Sequence, residues 1–206
     1  MATNTTDTAD HESLAGTEVQ FAAFMTGVAL FFISLLFTGD PQRDNAIQVP
    51  LAYLFVSAFA FFYSALIYAN CSDESPAVIR HSSAYQFNWA NALSESLGVY
   101  CMGFAFPLTV VSYSQNVSLS LVVLGVHVLG FVFYHGLGFS ILERNIKRPY
   151  FQLVATVILL LSVASFGLYL YGRMEIFYLL TGILGAVLIA TFLITGLECG
   201  TPEEIT

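Results

Sequence analysis

The sequence predicts an all-α fold, in which six membrane-spanning helices form a polytopic transmembrane helical bundle. Of the 206 residues, 57% are hydrophobic and only 10% are charged, whereas roughly 25% of the residues of a soluble domain are charged. A helix needs about 20 mostly apolar residues to cross a hydrocarbon core of roughly 30 Å. Six such stretches with short links between them use nearly the whole chain, so this composition excludes a large soluble domain.

Residues that start or stop helices mark the ends of these stretches. The first stretch is followed by a Gly and a Pro, and the second begins at Pro50, a favourable first position because Pro has no N–H to leave unpaired. Very short links, residues 114–116 and 172–174, predict that spans 3 and 4 and spans 5 and 6 form antiparallel hairpins. The predicted spans are residues 19–37, 50–69, 85–112, 117–142, 150–171 and 176–197, which form a transmembrane domain over 19–198 between an acidic polar tail (1–18) and a short C-terminal tail (199–206).

The uneven distribution of Lys and Arg over the predicted loops predicts the orientation. The loops after spans 2 and 4 hold four basic residues, and the loops after spans 1, 3 and 5 hold two. Because cytoplasmic loops are enriched in Lys and Arg, we expect a multi-pass protein of the cell membrane with both termini in the cytoplasm. The basic residues are Arg80, Arg144, Lys147 and Arg148 in the first group, and Arg43 and Arg173 in the second.

The acidic tails bear on location and on partners. Residues 1–18 contain no Lys or Arg, so they lack the basic region of a signal peptide, and we expect the first stretch to be retained as a span. A net charge of −8 with a single Lys resembles the composition of proteins from salt-loving microbes. There is no basic stripe for nucleic acid in the sequence. The expected partners are the lipid bilayer and, because six spans are few for a pore, further copies of the chain or another subunit of a membrane complex.

The cysteine pattern predicts neither a zinc site nor a disulfide framework. Cys71, Cys101 and Cys199 form no CxxC pair and no close cluster with His. Free Cys is commonly a small buried residue, and that is the interpretation here. The pattern therefore assigns no metal site, and it leaves the question of a cofactor open.

Span 3 differs from the others because polar residues occupy its first half. At about 100° per residue, Asn88, Asn91 and Glu95 share one helix face within an arc of roughly 80°. Glu95 lies about 15 Å from the start of the span, which predicts a position near the bilayer midplane. Ionisable groups at that depth cost about 2.5–3.5 kcal/mol on insertion scales and normally face a bundle interior or a cavity. The sequence thus predicts either a proton or ion path at Glu95 or a carboxyl group that only fixes helix packing.

Span 4 carries the second polar group, formed by His127, Tyr134 and His135. The two His residues lie roughly 12 Å apart along the helix, which is too far for them to share one metal ion. In a hairpin that turns near Gln115, residues whose numbers sum to about 230 lie at equal depth, so Glu95 is level with His135. We therefore predict that Glu95 and His135 approach each other, directly or through one water, and exchange a proton.

Two further features concern helix shape and packing. Pro107 removes a backbone hydrogen bond inside span 3 and predicts a kink there. Small residues at four-residue spacing in span 6 would let another helix approach closely, and packing inside the bundle is favoured over a dimer interface. These small residues are Gly182, Ala186 and Ala190.

The leading functional hypothesis is a small ion- or proton-coupled transporter or channel whose polar path runs between spans 3 and 4. The alternatives are a non-catalytic membrane subunit or scaffold, in which the polar hairpin only fixes packing, and an intramembrane enzyme or redox subunit that uses His127 and His135. No GxSxG or HExxH motif supports nucleophilic or metal-dependent hydrolysis. The predicted polar core consists of Asn88, Asn91, Glu95, His127, Tyr134 and His135.

Overall fold

The computed structural model describes residues 5–38, 47–73, 79–113, 116–137, 140 and 148–198. Helices account for nearly all of these residues, and the described part contains no strand. The helices are α1 Thr5–Thr38, α2 Gln48–Asp73, α3 Ile79–Leu93, a π-helix Ser94–Val99, α4 Tyr100–Tyr113, α5 Val117–Gly136, α6 Arg148–Leu170 and α7 Met174–Glu198.

Six helical stretches are long and apolar enough to cross a membrane, which confirms the all-α bundle and the multi-pass arrangement. α3, the π-helix and α4 follow one another without a break and form one span, Tyr85–Tyr113. The orientation of the bundle in a cell membrane stays a prediction, because the length and composition of the helices do not say which end faces the cytoplasm.

Several helix ends differ from their predicted positions: α2 extends to Asp73 and α3 begins at Ile79, and the ends of α1 and α5 differ as well. α1 begins at Thr5, inside the predicted polar tail, where acidic residues favour a helix start because they complement the positive end of the helix dipole. α5 ends at Gly136 rather than at residue 142. The next residue, Leu137, is the C-cap of α5, and its backbone N–H bonds to the carbonyls of Phe133 and His135. The Gly136-Leu137-Gly138 sequence has a low helix propensity, which explains the early end.

Hydrogen bonds between helix ends give the up-and-down arrangement. The Tyr113 hydroxyl at the end of α4 donates to the Leu35 carbonyl near the end of α1 at 2.6 Å. Similarly, the Tyr169 hydroxyl of α6 donates to the Ser112 hydroxyl of α4 at 3.2 Å. The C-terminal ends of α1, α4 and α6 therefore lie at one end of the bundle, which we call the Tyr113 end.

Two buried apolar clusters fill the bundle, and α4 contributes to both. One cluster is built from α4, α6 and α7, and the other mainly from α1, α2 and α4. Since α4 continues directly from the π-helix, the polar first half of span 3 is held at the centre of the molecule. Fully buried members of the first cluster include Phe166, Phe177 and Leu184, and those of the second include Ala22, Leu54, Phe61 and Ala105.

The small residues of α7, Gly182, Ala186 and Ala190, do not face the buried interior of the described bundle, and their role in helix packing stays a prediction. All three are exposed, because the inward face of α7 consists of larger residues such as Leu184 and Leu188. The close approach is made instead by Gly196, where an added Cβ would collide with the Trp89 ring.

α4 continues through Pro107 to Tyr113, and Pro107 is buried. The departure from α-helical geometry in this span is the π-helix at Ser94–Val99, which ends about two turns before the proline. π-Turns inside α-helices are frequent at functional sites. The kink at Pro107 itself stays a prediction.

Candidate functional site

Glu95 is almost completely buried, with 1% of its surface exposed, and polar groups surround its carboxyl group. The Ser140 hydroxyl donates a short hydrogen bond to Glu95 Oε1. The Tyr100 hydroxyl donates to the same oxygen at 3.4 Å. The Tyr134 hydroxyl of α5 also interacts with the carboxyl group. A carboxyl group held in this way satisfies the rule that buried polar groups need hydrogen-bond partners.

The π-helix explains how Tyr100 reaches Glu95. In an α-helix, residues five apart point about 140° away from each other, since each residue turns the chain by about 100°. A π-turn is wider and closes i→i+5 hydrogen bonds, so residues five apart lie above one another. The backbone N–H of Tyr100 donates to the Glu95 carbonyl in this pattern. Glu95 and Tyr100 are therefore joined by two hydrogen bonds, one between their backbones and one between their side chains.

Tyr100 also links Glu95 to His135. The Tyr100 hydroxyl oxygen lies 3.3 Å from His135 Nε2, in addition to its contact with Glu95. The structure thus brings Glu95 and His135 together as neighbours of one hydroxyl group, although we expected a direct contact or a water. We call Ser140, Glu95, Tyr100 and His135 the Glu95 network.

Aromatic rings enclose the imidazole of His135. The Phe131 and Phe151 rings lie with centroids 4.4 Å and 5.3 Å from it, and the Tyr134 ring lies at 5.4 Å. Such apolar contacts lower the local dielectric constant and thereby strengthen the electrostatic interactions inside the Glu95 network.

The Glu95 network lies at the end of α5 but level with the middle of α2, because Ser57 and Ser64 of α2 bond to span 3 carbonyls on either side of Glu95. His135 is the penultimate residue of α5, and Ser140 follows the end of that helix. Ser140 is buried and bonds to Glu95. The predicted position of Glu95 at the bilayer midplane stays a prediction, but its level relative to α5 is fixed by His135.

α2 supports the polar half of span 3 through hydroxyl groups. The Tyr68 hydroxyl donates to Asn91 Oδ1 at 2.5 Å, which accounts for one of the predicted polar residues. Ser64 and Ser57 donate to carbonyls of span 3 at 3.0 Å and 2.9 Å. The Asn88 side chain, by contrast, is half-buried and makes no hydrogen bond to another described residue. Asn91 thus has a structural partner, and the structure does not bring Asn88 into the Glu95 network.

His127 belongs to a different environment from His135. It lines a cavity of about 520 Å³ between α1, α4, α5 and α6. Its Nε2 atom is buried and has no hydrogen-bond partner among the described residues. Tyr100 and Tyr134 line the same cavity, so these two residues form the wall between it and Glu95.

Sequence reasoning missed Tyr100 and Ser140. Tyr100 was overlooked because α-helical periodicity places it on another face of span 3 than Glu95. Ser140 was overlooked because span 4 was predicted to remain helical as far as residue 142. The glycines that flank Leu137 were the available signal for the earlier end of α5.

The described residues contain no group of three or more His, Cys, Asp or Glu residues that could hold a metal ion. Cys71 and Cys101 are not disulfide-bonded, and Cys101 is buried. Cys199 lies outside the described residues. In comparisons with protein-family models, curated proteins and solved structures, nothing matches the chain. The geometry of the site is therefore the basis for the function proposed below.

Proposed function

We propose that the protein moves protons across the membrane as a small proton-coupled transporter or channel, and that Glu95 is its proton-binding group. One observation carries this proposal. The Tyr100 hydroxyl stands between Glu95 Oε1, at 3.4 Å, and His135 Nε2, at 3.3 Å, inside a buried π-turn. Intramembrane ionisable residues commonly mark proton relays, and here two of them are joined by a third exchangeable group.

The arrangement allows a balanced proton transfer. When His135 is protonated and Glu95 is not, the Tyr100 proton passes to Glu95 Oε1 while the His135 Nε2 proton passes to the Tyr100 oxygen. The products are a neutral imidazole, an intact tyrosine and a neutral carboxyl group, so no charge is left on Tyr100. The reverse transfer restores the starting state. Burial of Glu95 favours this sharing, because an isolated charge in a low-dielectric interior is costly.

Proton flux in proteoliposomes tests the proposal. Purified protein is reconstituted with a pH-sensitive dye inside the vesicles, and a potassium gradient with valinomycin supplies the driving voltage. We expect Glu95→Gln to lower the flux at least tenfold, because an amide cannot take up the proton. Tyr100→Phe should lower it similarly, since it removes the link to His135. Tyr113→Phe is the matched control, because Tyr113 is an exposed tyrosine at the end of the same span.

Flux through wild-type protein equal to that of empty vesicles would contradict the proposal, and so would unchanged flux in Glu95→Gln. Infrared difference spectra between two pH values provide an independent measurement. They should contain a carboxyl band that disappears in Glu95→Gln and persists in Tyr113→Phe. Its absence from the wild-type spectrum would remove Glu95 from the role of proton acceptor.

A second candidate function is a non-catalytic membrane subunit in which the Glu95 network only fixes packing. One observation favours it: the carboxyl group joins the π-helix, α4 and the chain after α5. In that case Glu95→Gln would retain wild-type folding and partner binding, and the wild-type protein would conduct no protons. The same flux measurement therefore separates the two candidates.

A further inference from the structure

α5 is the least buried of the six spans. Only 6% of the residues in its apolar window are buried inside the described bundle, whereas the share is 22% to 61% in the other five spans. Ser120 is the one buried residue of the helix. Helices associate in lipid mainly through packing, and elements with few buried contacts are the ones that open most readily. α5 is therefore the span that the described bundle holds least firmly.

A cavity of about 520 Å³ lies between the middle of α5 and the helices α1, α4 and α6, and we call it the His127 cavity. His127 and Phe131 of α5 line one side of it, and Met102 of α4 lines another. Two further lining residues, Val122 and Val126, are 61% and 64% exposed, so the cavity opens on the outer surface of the bundle. Side chains that line a cavity lack the dispersion contacts of packed neighbours. The cavity therefore weakens the attachment of α5 and leaves space for the helix to shift.

The first turn of α5 is firmly attached. The Asn116 side chain caps the helix by accepting hydrogen bonds from two backbone N–H groups of this turn. Ser120, the buried residue, donates to the Asn116 carbonyl at 3.0 Å. Only residues 114–116 separate α5 from α4, and so short a link allows a change of angle but little displacement. This end of α5 is suited to act as a pivot.

The other end of α5 is held by side-chain contacts. His135 Nε2 lies 3.3 Å from the Tyr100 hydroxyl oxygen, and Ser140, just after the helix, donates a hydrogen bond to Glu95 Oε1. We call these two contacts the latch. Because a single hydrogen bond contributes little net free energy, the latch can break and re-form without unfolding the bundle.

We propose that α5 is a gate over Glu95, which pivots at Asn116 and moves into the His127 cavity while its His135 end leaves Tyr100. The movement breaks the latch and opens the surroundings of Glu95, which is almost completely buried while the latch is closed. Gates of this kind control when a buried site communicates with its surroundings. The role of the gate in proton transfer rests on the proposed function, whereas the movement itself does not.

Distances between spin labels measure the movement in lipid nanodiscs. The three native cysteines are replaced by Ala, and labels are attached in pairs at new cysteines on the exposed surface. One pair uses Phe59→Cys in α2 with Phe133→Cys near the latch, and the other uses Phe59→Cys with Leu119→Cys near the pivot. Double electron–electron resonance on the protein with an intact latch gives the reference distance of each pair.

Removal of the latch should release one end of α5 only. In a variant with Tyr100→Phe and Ser140→Ala, we expect the Phe133 pair to gain a second distance population and the Leu119 pair to keep its reference distance. At 1.5 Å per residue, a tilt of roughly 15° moves Phe133 by about 5 Å relative to Leu119. Reference distances for both pairs in this variant would overturn the proposal, and so would equal shifts at the two ends.

A substitution that fills the cavity tests whether the movement needs that space. Gly103 lines the His127 cavity, and an added Cβ there would meet no atom within 4 Å. Gly103→Leu, added to the variant without a latch, should therefore abolish the second population. Gly167→Leu is the matched control, because Gly167 is a helix glycine with equal room that does not line the cavity. A second population that survives in Gly103→Leu, or that disappears in both variants, would overturn the proposal.

These distances are independent of proton flux. Wild-type vesicles without flux would contradict the proposed function and leave the movement of α5 intact. A rigid α5 in a protein that conducts protons would overturn the gate and leave the proposed function intact.

Discussion

The Glu95 network and the His127 cavity are neighbours with opposite character. In the Glu95 network, one carboxyl oxygen receives hydrogen bonds from two hydroxyl groups, and a third residue, His135, contacts one of those hydroxyls. In the His127 cavity, a buried nitrogen has no partner among the described residues, and about 520 Å³ of space lies beside it. The first site is packed closed, and the second opens on the outer surface.

The difference shows how one helix can hold two kinds of polar site. The π-turn gathers polar groups onto one face of span 3, so that they satisfy one another. Farther along the same span, Pro107 removes the usual donor of the Gly103 carbonyl, and both residues line the cavity that His127 also lines. A closed network suits a group that holds and passes a proton, whereas an open cavity with a mostly apolar wall has the character of a ligand site.

The largest expected effect concerns the closed site. Glu95→Leu should lower the free energy of unfolding by about 3 kcal/mol, because the buried hydroxyls of Ser140 and Tyr100 lose their acceptor. Glu95→Gln should cost no more than about 1 kcal/mol, since the amide oxygen still accepts. Unfolding in mixed micelles titrated with SDS measures both variants. Equal losses in the two would mean that hydrogen bonding does not hold the network together.

Substitutions of two glycines of span 3 test how tightly the chain is packed beside the Glu95 network and beside the cavity at His127. An added Cβ at Gly98 would lie 2.8 Å from the ring of Phe61, which is fully buried. Gly98→Ala should therefore cost about 2 kcal/mol through overpacking. Gly103 lines the His127 cavity, and an added Cβ would meet no atom within 4 Å. Gly103→Ala should be neutral or stabilise by about 0.5 kcal/mol, since Ala is the better helix former.

The same SDS titration measures both glycine variants. A loss at Gly103→Ala as large as that at Gly98→Ala would show that the cavity closes in the membrane. That result would also remove the space into which α5 moves.

The smallest expected change in stability comes from substitutions of the two histidines of α5. His135→Leu should destabilise by about 1 kcal/mol, because Tyr100 loses a hydrogen-bond partner. His127→Leu should have no effect or stabilise slightly, since it replaces an unpartnered nitrogen by an apolar group. Thermal unfolding in detergent, without added ligand, gives the order of the two melting temperatures. A reversed order would mean that Nε2 of His127 is paired in the folded protein.

Sequence patterns were informative wherever helical periodicity and apolar length decide the structure. Six apolar stretches required six spans, and the numbering of a tight hairpin placed His135 level with Glu95. Periodicity failed where the helix itself changes. It could not bring Tyr100 onto the face of Glu95, because the π-turn alters the number of residues per turn.

The sequence also did not predict which residues of one helix pack against another helix. The stripe of Gly182, Ala186 and Ala190 is regular, but regular spacing does not say which face of α7 points inward. That face is determined by the sum of its contacts with other helices, in which the large residues Leu184 and Leu188 prevail. His127 and His135 look equivalent in the sequence. In the structure, His127 lines a cavity, whereas His135 lies among aromatic rings at the end of α5.

The π-turn has a consequence for the detection of distant relatives. Glu95 and Tyr100 are five residues apart because the turn is wide. In a homologous protein whose span is an uninterrupted α-helix, the same two side chains would be adjacent at a separation of four residues. An alignment of such a protein with this chain requires a one-residue gap inside a hydrophobic span, where gaps are normally penalised. Searches for relatives should therefore allow a Glu and a Tyr at either spacing.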